Sequence, residues 1–342
     1  MSPFKILVIR RDNIGDLVCT TPAISAIRTH FPDAQIDVLV NDYNSDVLAR
    51  NPDVDYIWAY RKGKHRAHGN SLFAIWLNTL RMMIKIRKMR YDIAIIATPS
   101  FSKTTWKFAL RVGAKKIITN ANGAPPANDR VTLVKTEGHH ETEKVMSLLR
   151  PLGIYGTPGP CKVISSGITP SINTNGIRTI GIHISARKPS QRWPIERFAE
   201  LAQRIHANEN VHFLLFWSPG SADNPSHPGD DEKASRLLLL VTGLSLKSYA
   251  TERLSELVEG IAQCDVIICS DGGAMHLAAG LGKPIVALFG GSDKDRWRPW
   301  RVPHVLLQKQ SQNVNDISVE EVFDAYSTLT IIGKTSSPLS TL

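Results

Sequence analysis

Asp16 closes a short charged run, Arg10-Arg11-Asp12-Asn13-Ile14-Gly15-Asp16, between an apolar stretch and a helical one. Gly15 suits a tight turn there. Two roles are open to the carboxylate: a helix N-cap, or a general base or charge stabiliser facing a substrate hydroxyl. A helix N-terminus lowers an Asp pKa and weakens it as a base, so proximity and timing would have to compensate. A second constellation is Cys264-Asp-Val-Ile-Ile-Cys-Ser270-Asp271-Gly272-Gly273-Ala-Met-His276, followed at once by Lys283-Pro-Ile-Val-Ala-Leu-Phe-Gly290-Gly291. It reads as strand, glycine turn, short helix, strand, glycine turn. Free N–H groups at such a turn bind anions, so one reading is a nucleotide-sugar pyrophosphate site. The other is an ordinary βαβ turn with glycines used for geometry. His276 either reaches the phosphates or packs in the core. A third is Arg187-Lys188-Pro-Ser-Gln191-Arg192-Trp193-Pro194, whose three cations either neutralise phosphates beside a helix opened by Pro194 or form a solvated loop.

Other chemistries are disfavoured. No GxGxxG follows the first strand, against a nicotinamide dehydrogenase, and no GxxxxGK[ST] marks a P-loop. His139-His140-Glu141 and His65/His68 lack metal-ligand spacing. Asp293-Lys-Asp295 is a DxD, but Lys294, Arg296 and Arg298 already supply positive charge, so no metal is expected. No GxSxG elbow occurs. The four cysteines form no CxxC pair and suit buried, reduced thiols in a cytoplasmic protein.

These residues need elements to hold them. The 342-residue chain suggests two domains. No apolar run reaches the roughly 18–20 residues that span a bilayer, and the N-terminus reads as a strand rather than a signal peptide. Strands are expected at 4–9, 35–40, 56–59, 91–97 and 115–119, and helices at 17–30, 71–88, 101–112 and 141–152. Residues 120–138 read as an irregular loop around Pro125-Pro126. After a polar linker at 165–177 the alternation restarts: strands at 179–184 and 211–217, helices at 194–207, 231–241 and 253–263, then the glycine turns. Ser318 with Glu321 caps a terminal helix. The pattern predicts an α/β protein of two doubly wound parallel-sheet domains facing each other across a cleft, 1–164 and 178–317. A terminal helix at 318–332 would pack back on the N-terminal domain, and 333–342 would be a disordered tail.

The net charge of +10 favours anionic partners. Its strongest local bias is a belt at 60–90 with Arg61, Lys62, Lys64, Arg66, Arg81, Lys85, Arg87, Lys88 and Arg90 and no acid. The helix there, with Trp76, Met82 and Met83, reads either as a membrane-surface helix or as a core helix with a solvated basic face.

Taken together, Ile6 through Asp16 to Arg28, Phe31-Pro32, Ser185 to Pro194, Ser270 to His276 and Lys283 to Gly290 resemble glycosyltransferase family 9, the heptosyltransferases of the lipopolysaccharide inner core. The two motifs stand in the right order, about 250 residues apart. The resemblance implies a GT-B architecture of two Rossmann-like domains. It implies inverting, metal-independent transfer with no cofactor beyond a nucleotide-sugar co-substrate, by default ADP-heptose. Asp16 matches the family's catalytic aspartate, which takes the proton of the acceptor hydroxyl as it attacks the anomeric carbon. Lys188, Gln191, Arg192, Ser270, Asp271, Gly272, Gly273, His276 and Gly290 fall in the donor-binding positions. Arg10, Asn13, Gly15, Arg61 and Arg66 are expected on the acceptor side. The acceptor would be a lipid-anchored anionic glycan such as lipid A bearing Kdo. That places the protein at the cytoplasmic face of the inner membrane, with no nucleic-acid partner. Two positions depart from the family: Gly272 replaces a Thr or Ser, and Gln191 replaces a lysine. They leave open another nucleotide sugar, or a member that binds donor without transfer. An epimerase would need more acids and histidines than Asp16 and His276. A nucleic-acid binder would need exposed aromatics among its basic residues.

Overall fold

The computed structural model describes residues 3–60, 72–123, 128–167, 177–223 and 229–335. The chain divides into two compact units, Met1–Ile164 and Ser165–Leu342.

The first unit is a parallel sheet of β1 (Lys5–Ile9), β2 (Gln35–Asn41), β3 (Tyr56–Tyr60), β4 (Ile93–Ile96), β5 (Lys116–Asn120) and β6 (Val131–Val134), in the order β3-β2-β1-β4-β5-β6. Its helices are α1 (Ile14–Val18), α2 (Thr21–His30), α3 (Leu72–Met89), α4 (Lys103–Val112) and α5 (Glu141–Ser147). β1 and β4 are short apolar strands buried on both faces, as a sheet covered by helices on both sides requires. They pair in register, Ile9 with Ile96. On one face Leu7, Ile9, Ala94 and Ile96 pack against Met83 and Ile86 of α3 and Ala109 and Val112 of α4.

The second unit repeats the plan with β7 (Arg178–His183), β8 (Val211–Trp217), β9 (Leu246–Ala250), β10 (Val266–Ser270), β11 (Ile285–Phe289) and β12 (His304–Gln308), in the order β12-β11-β10-β7-β8-β9. The helices are α6 (Ile195–Asn208), α7 (Asp231–Leu240), α8 (Leu254–Ala262), α9 (Gly273–Gly280), α10 (Lys294–Trp297) and α11 (Val319–Thr335). Numbered within its own unit, each sheet runs 3-2-1-4-5-6. That is the doubly wound order whose strand direction of travel reverses between the first and fourth strands. The reversal falls between β1 and β4 in one unit and between β7 and β10 in the other. Trp193 locks the second core: it donates from Nε1 to the Ile317 carbonyl at 2.9 Å and meets Phe198 edge-on. The α11 helix packs on α6, β11 and β12 of its own unit, opened by the expected Ser318–Glu321 capping pair.

Several elements differ from the sequence expectation. The helix expected over 17–30 is two helices, α1 and α2, joined through Cys19 and Thr20. Strand β6 lies inside the stretch read as an irregular loop, and β9, α10 and β12 are additional. Pro194 is the N-cap of α6 rather than a residue of its first turn. Pro125-Pro126, most of the 165–177 linker and residues 336–342 lie outside the described residues. All four cysteines are buried and free of disulfides, two in each unit; burial pushes the Cys264 and Cys269 thiols well above their ordinary range.

Candidate functional site

In the first unit the chemistry collects where the strand order reverses. Arg10 follows β1 directly, and its backbone N–H continues the ladder to Leu39 at 3.0 Å. Its side chain is 1% exposed and bridges to the end of β4, donating from Nη1 to the Ala97 carbonyl. From Nη2 it donates to Asp16 Oδ1 and to Glu141 Oε1, each at 2.6 Å. Its Nε stands 3.2 Å from Asp12 Oδ2 in an ion pair without hydrogen-bond alignment. Burial disfavours the guanidinium charge, but the three carboxylates outweigh it and raise the Arg10 pKa above its ordinary value.

Asp16 belongs to α1, whose N-cap is Asn13. It is therefore not the cap itself but the third residue of the helix, the reciprocal half of a capping box. Its Oδ2 accepts from the Asn13 backbone N–H at 3.0 Å and from Asn13 Nδ2 at 3.1 Å. A carboxylate offers about four lone-pair sites, two per oxygen. Two donors occupy Oδ2, and Arg10 takes one site of Oδ1. Burial raises the cost of ionising Asp16, yet the charge of Arg10 and the Asn13 hydrogen bonds hold its carboxyl below the usual carboxylate range. The side chain keeps 14% exposure, so an anion with a remaining Oδ1 lone pair can meet a ligand.

The loop before α1 is pinned from the 3-10 turn after β2. Tyr43 Oη donates to the Asp12 carbonyl at 2.9 Å, and Asn41 Nδ2 donates to the same oxygen at 2.9 Å. Arg11 turns into the core instead, donating to Tyr60 Oη at 2.7 Å with its guanidinium over the Phe108 ring at 3.8 Å. Of the residues expected on the acceptor side, Asn13 is exposed, Gly15 is buried inside α1 and Arg10 is buried among carboxylates. Arg61 and Arg66 lie outside the described residues.

The second unit also builds at its reversal point, with different chemistry. Gln191, 6% exposed in the short 3-10 turn after β7, donates from Nε2 to Asp271 Oδ2 at 2.9 Å and to Ser292 Oγ at 3.1 Å. One amide thus ties together the loops that follow β7, β10 and β11. Gly290 explains itself by close approach: a Cβ there would stand 2.6 Å from the Ser190 carbonyl oxygen. Gln308 braces the same loop, donating to the carbonyls of Gly290 at 2.7 Å and Ser292 at 2.9 Å. Asp271 donates its N–H to the Leu288 carbonyl at 2.9 Å, and Gly272 caps α9, with Gly273 the first helical residue. A Cβ on Gly272 would meet nothing within 4 Å. Ser270 ends β10, buried. His276 is 5% exposed on α9, edge-on to Trp297 at 5.9 Å. Arg187 and Lys188 are exposed, while Arg192 turns back to donate from Nε to the Ala186 carbonyl at 2.9 Å. Asp293 caps α10, accepting from Asp295 N at 3.0 Å and Arg296 N at 3.2 Å. At the end of β7, burial pushes the His183 imidazole down to about 4, against the opposing charge of Asp230.

In the sequence Glu141 carries no local signal of a role, because His139-His140-Glu141 lacks metal-ligand spacing. In the fold His140 caps α5, its Nδ1 accepting from Thr142 N at 3.1 Å, while Glu143 accepts from His140 N at 2.9 Å. That leaves Glu141, fully buried, to face Arg10. The His-x-x-Glu capping pattern was a readable signal for the helix start; the partner 131 residues away was not. Ser292 and Gln308 were missed for the same reason. Among the described residues no three His, Cys, Asp or Glu side chains group as a metal site.

A sequence model of glycosyltransferase family 9 (heptosyltransferase) matches residues 79–327, well over half of the chain. The chain belongs to glycosyltransferase family 9. It is a glycosyltransferase with the GT-B fold of that family. It is 25% identical over 300 residues to lipopolysaccharide heptosyltransferase 3 of Escherichia coli strain K12, covering 84% of this chain and 82% of that one. Lipopolysaccharide heptosyltransferase 2 of Salmonella typhimurium strain LT2 is also 25% identical, over 324 residues, covering 85% of this chain and 84% of that one. Among solved structures, the E. coli heptosyltransferase WaaC with ADP superposes with a TM-score of 0.79 at 15% identity, covering 95% of this chain and all of that one. The family 9 match begins downstream of Asp16, so the aspartate's assignment rests on its own motif and geometry.

Proposed function

We propose that this family 9 glycosyltransferase moves a heptose from ADP-heptose onto a lipopolysaccharide inner-core acceptor, with inversion and without a metal. The observation that carries the catalytic part is the state of Asp16: ionised, partly exposed, and placed by Arg10 and Asn13 where the first sheet reverses. Asp16 Oδ1 accepts the proton of the acceptor hydroxyl as that oxygen bonds to the anomeric carbon and the nucleoside diphosphate departs. Asn13 steers the acceptor beside it. In the second unit Ser270, Asp271, Gly272, Gly273, His276 and Gly290 shape the donor subsite. Gln191 holds its loops together, and Lys188 and Arg192 supply positive charge to the pyrophosphate. Gly272 and Gln191, where the family carries a hydroxyl and a lysine, favour a second reading in which the same reaction uses another nucleotide sugar.

The acceptor is a lipid-anchored anionic glycan, reached from the cytoplasmic face of the inner membrane. The surface of α3 supports this. Trp76, Leu80 and Ile84 are exposed at successive four-residue steps, alongside exposed Arg81, Lys85, Arg87 and Lys88. No described helix is long and apolar enough to cross a membrane. A binding and transfer panel with ADP-, UDP- and GDP-sugars, with and without EDTA, tests the reading on wild type and Asp16→Ala. ADP-heptose binding that survives EDTA, with transfer to a deacylated core acceptor lost in Asp16→Ala, is expected. Preference for UDP or GDP would reassign the donor. Full transfer by Asp16→Ala would overturn the base assignment.

A further inference from the structure

Asp16 carries a contradiction as a base. A helix N-terminus, two Asn13 donors and a guanidinium at 2.6 Å all stabilise its anion, which weakens its hold on a proton. The structure holds a counterweight. Glu141 sits at the first position of α5 with its side chain 0% exposed and its Oε1 2.6 Å from Arg10 Nη2. That is the same nitrogen that donates to Asp16 Oδ1. A guanidinium Nη has two N–H bonds. One is committed to each carboxylate.

We propose that Glu141 is a positioning residue for Asp16, acting through Arg10. It fixes the plane of the guanidinium, and its buried charge offsets the pull of Arg10 on the catalytic carboxylate. The inference rests on Asp16 being the base. Arg10 is then not an acceptor contact but the shared cation of two acids: one buried and structural, the other partly exposed and reactive. Other charged groups are close. Asp12, before α1, pairs with Arg10 Nε at 3.2 Å. His140 caps α5 beside Glu141, and Asp42 and Asp46 lie on the 3-10 turn that packs on α1. Glu141 and Asp16 share one Arg10 nitrogen, Nη2, whereas Asp12 faces Nε. Neutralising Glu141 leaves Asp16 a larger share of the Arg10 charge, so Asp16 gives up its proton more readily and takes one less readily.

Glu141→Gln keeps the shape and removes the charge. Two readouts test it. Carbon-13 NMR of the Asp16 carboxyl should show its titration moving to lower pH by about one unit. In transfer from ADP-heptose to a deacylated core acceptor, kcat should fall by up to about tenfold with KM for the acceptor unchanged, and the acidic limb should move with the NMR titration. Glu141→Asp retains the charge and should keep the acidic limb at its wild-type position, even where its shorter reach lowers kcat. An Asp16 titration and acidic limb unmoved in folded Glu141→Gln overturn the proposal, whatever happens to the rate. Should Glu141→Gln fail to fold, a shifted limb in Glu141→Asp overturns it equally. Loss of transfer in Asp16→Ala alongside an inert Glu141→Gln sinks the positioning role alone. Retained transfer in Asp16→Ala sinks the base assignment and with it this inference.

Discussion

Replacing Gly290 by alanine tests the donor side of the reading with one methyl group. The added Cβ would lie 2.6 Å from the Ser190 carbonyl oxygen and 3.2 Å from that of Gln312. Both are backbone atoms, so no side chain can swing aside. Ordinary contact begins near 3.4 Å, so the Ser190 carbonyl must retreat by roughly 0.8 Å, a strain that costs about 1–3 kcal/mol in well-packed structure. The next residue is Gln191, whose bonds to Asp271 and Ser292 are 2.9 and 3.1 Å long; the same retreat takes both past useful length. For a unit of this size the strain lowers the melting temperature by roughly 3–10 °C. Loosening the three donor loops should weaken ADP binding by about tenfold, the equivalent of one lost hydrogen bond near the upper end of its net worth. Thermal melting and isothermal titration with ADP measure the two effects. Gly291→Ala is the control, because its Cβ would meet its nearest atom, Gln312 Oε1, at 3.4 Å. If Gly290→Ala melts and binds ADP like Gly291→Ala, the Gln191 bridge does not organise the donor loops.

Asp16→Asn keeps the size of the side chain but removes the base; transfer should drop by about 10²–10⁴-fold while donor binding persists, and unchanged transfer would refute the role. Gly272 has open space around its Cβ position but sits at φ 158° and ψ -165°, a backbone conformation that side-chain residues rarely adopt. Gly272→Ser should therefore strain the turn, lower the melting temperature and weaken ADP binding; a variant that melts and binds ADP like wild type would refute the strain. His183, pushed down to about 4 in the fold against an unfolded value of about 6.5, makes stability depend on pH. Between those values the unfolded chain binds a proton that the folded one rejects, so stability falls as pH drops from about 6.5 towards 4 and is level above. His183→Gln should lose less melting temperature than wild type between pH 7 and pH 5; equal losses would show that the imidazole is solvated in the fold.

The interior of both sheets was legible in the sequence, but of their four edge strands only β3 was. β1, β4, β10 and β11 are apolar runs buried on both faces, the pattern a central parallel strand must have. The missed strands β6, β9 and β12 are sheet edges. β9, Leu-Lys-Ser-Tyr-Ala, has no buried residue, and all five residues of β12 are half-buried. Edge strands pair on one side only and need no continuous apolar run, so composition does not announce them. The site divides the same way. The turns that carry Asp16 and Asp271-Gly272-Gly273 were legible as turns because each is local to one loop. The Arg10–Glu141 and Gln191–Ser292 pairs join residues far apart in the chain, and only the strand order brings them together. Gly290 was read as a phosphate contact, and its crowding against Ser190 gives it a packing role as well.

The four buried thiols give the protein its own unfolding gauge. Cys19 and Cys161 belong to the first unit, Cys264 and Cys269 to the second, and none is exposed in the fold. A maleimide can react only during an opening event, so each labelled position dates the opening of its own unit. Mass spectrometry of the labelled peptides would therefore clock the two units independently within one intact chain, with no engineered probe. Ligands that steady only one unit would slow only that unit's clock, sorting donor-like from acceptor-like compounds without a transfer assay.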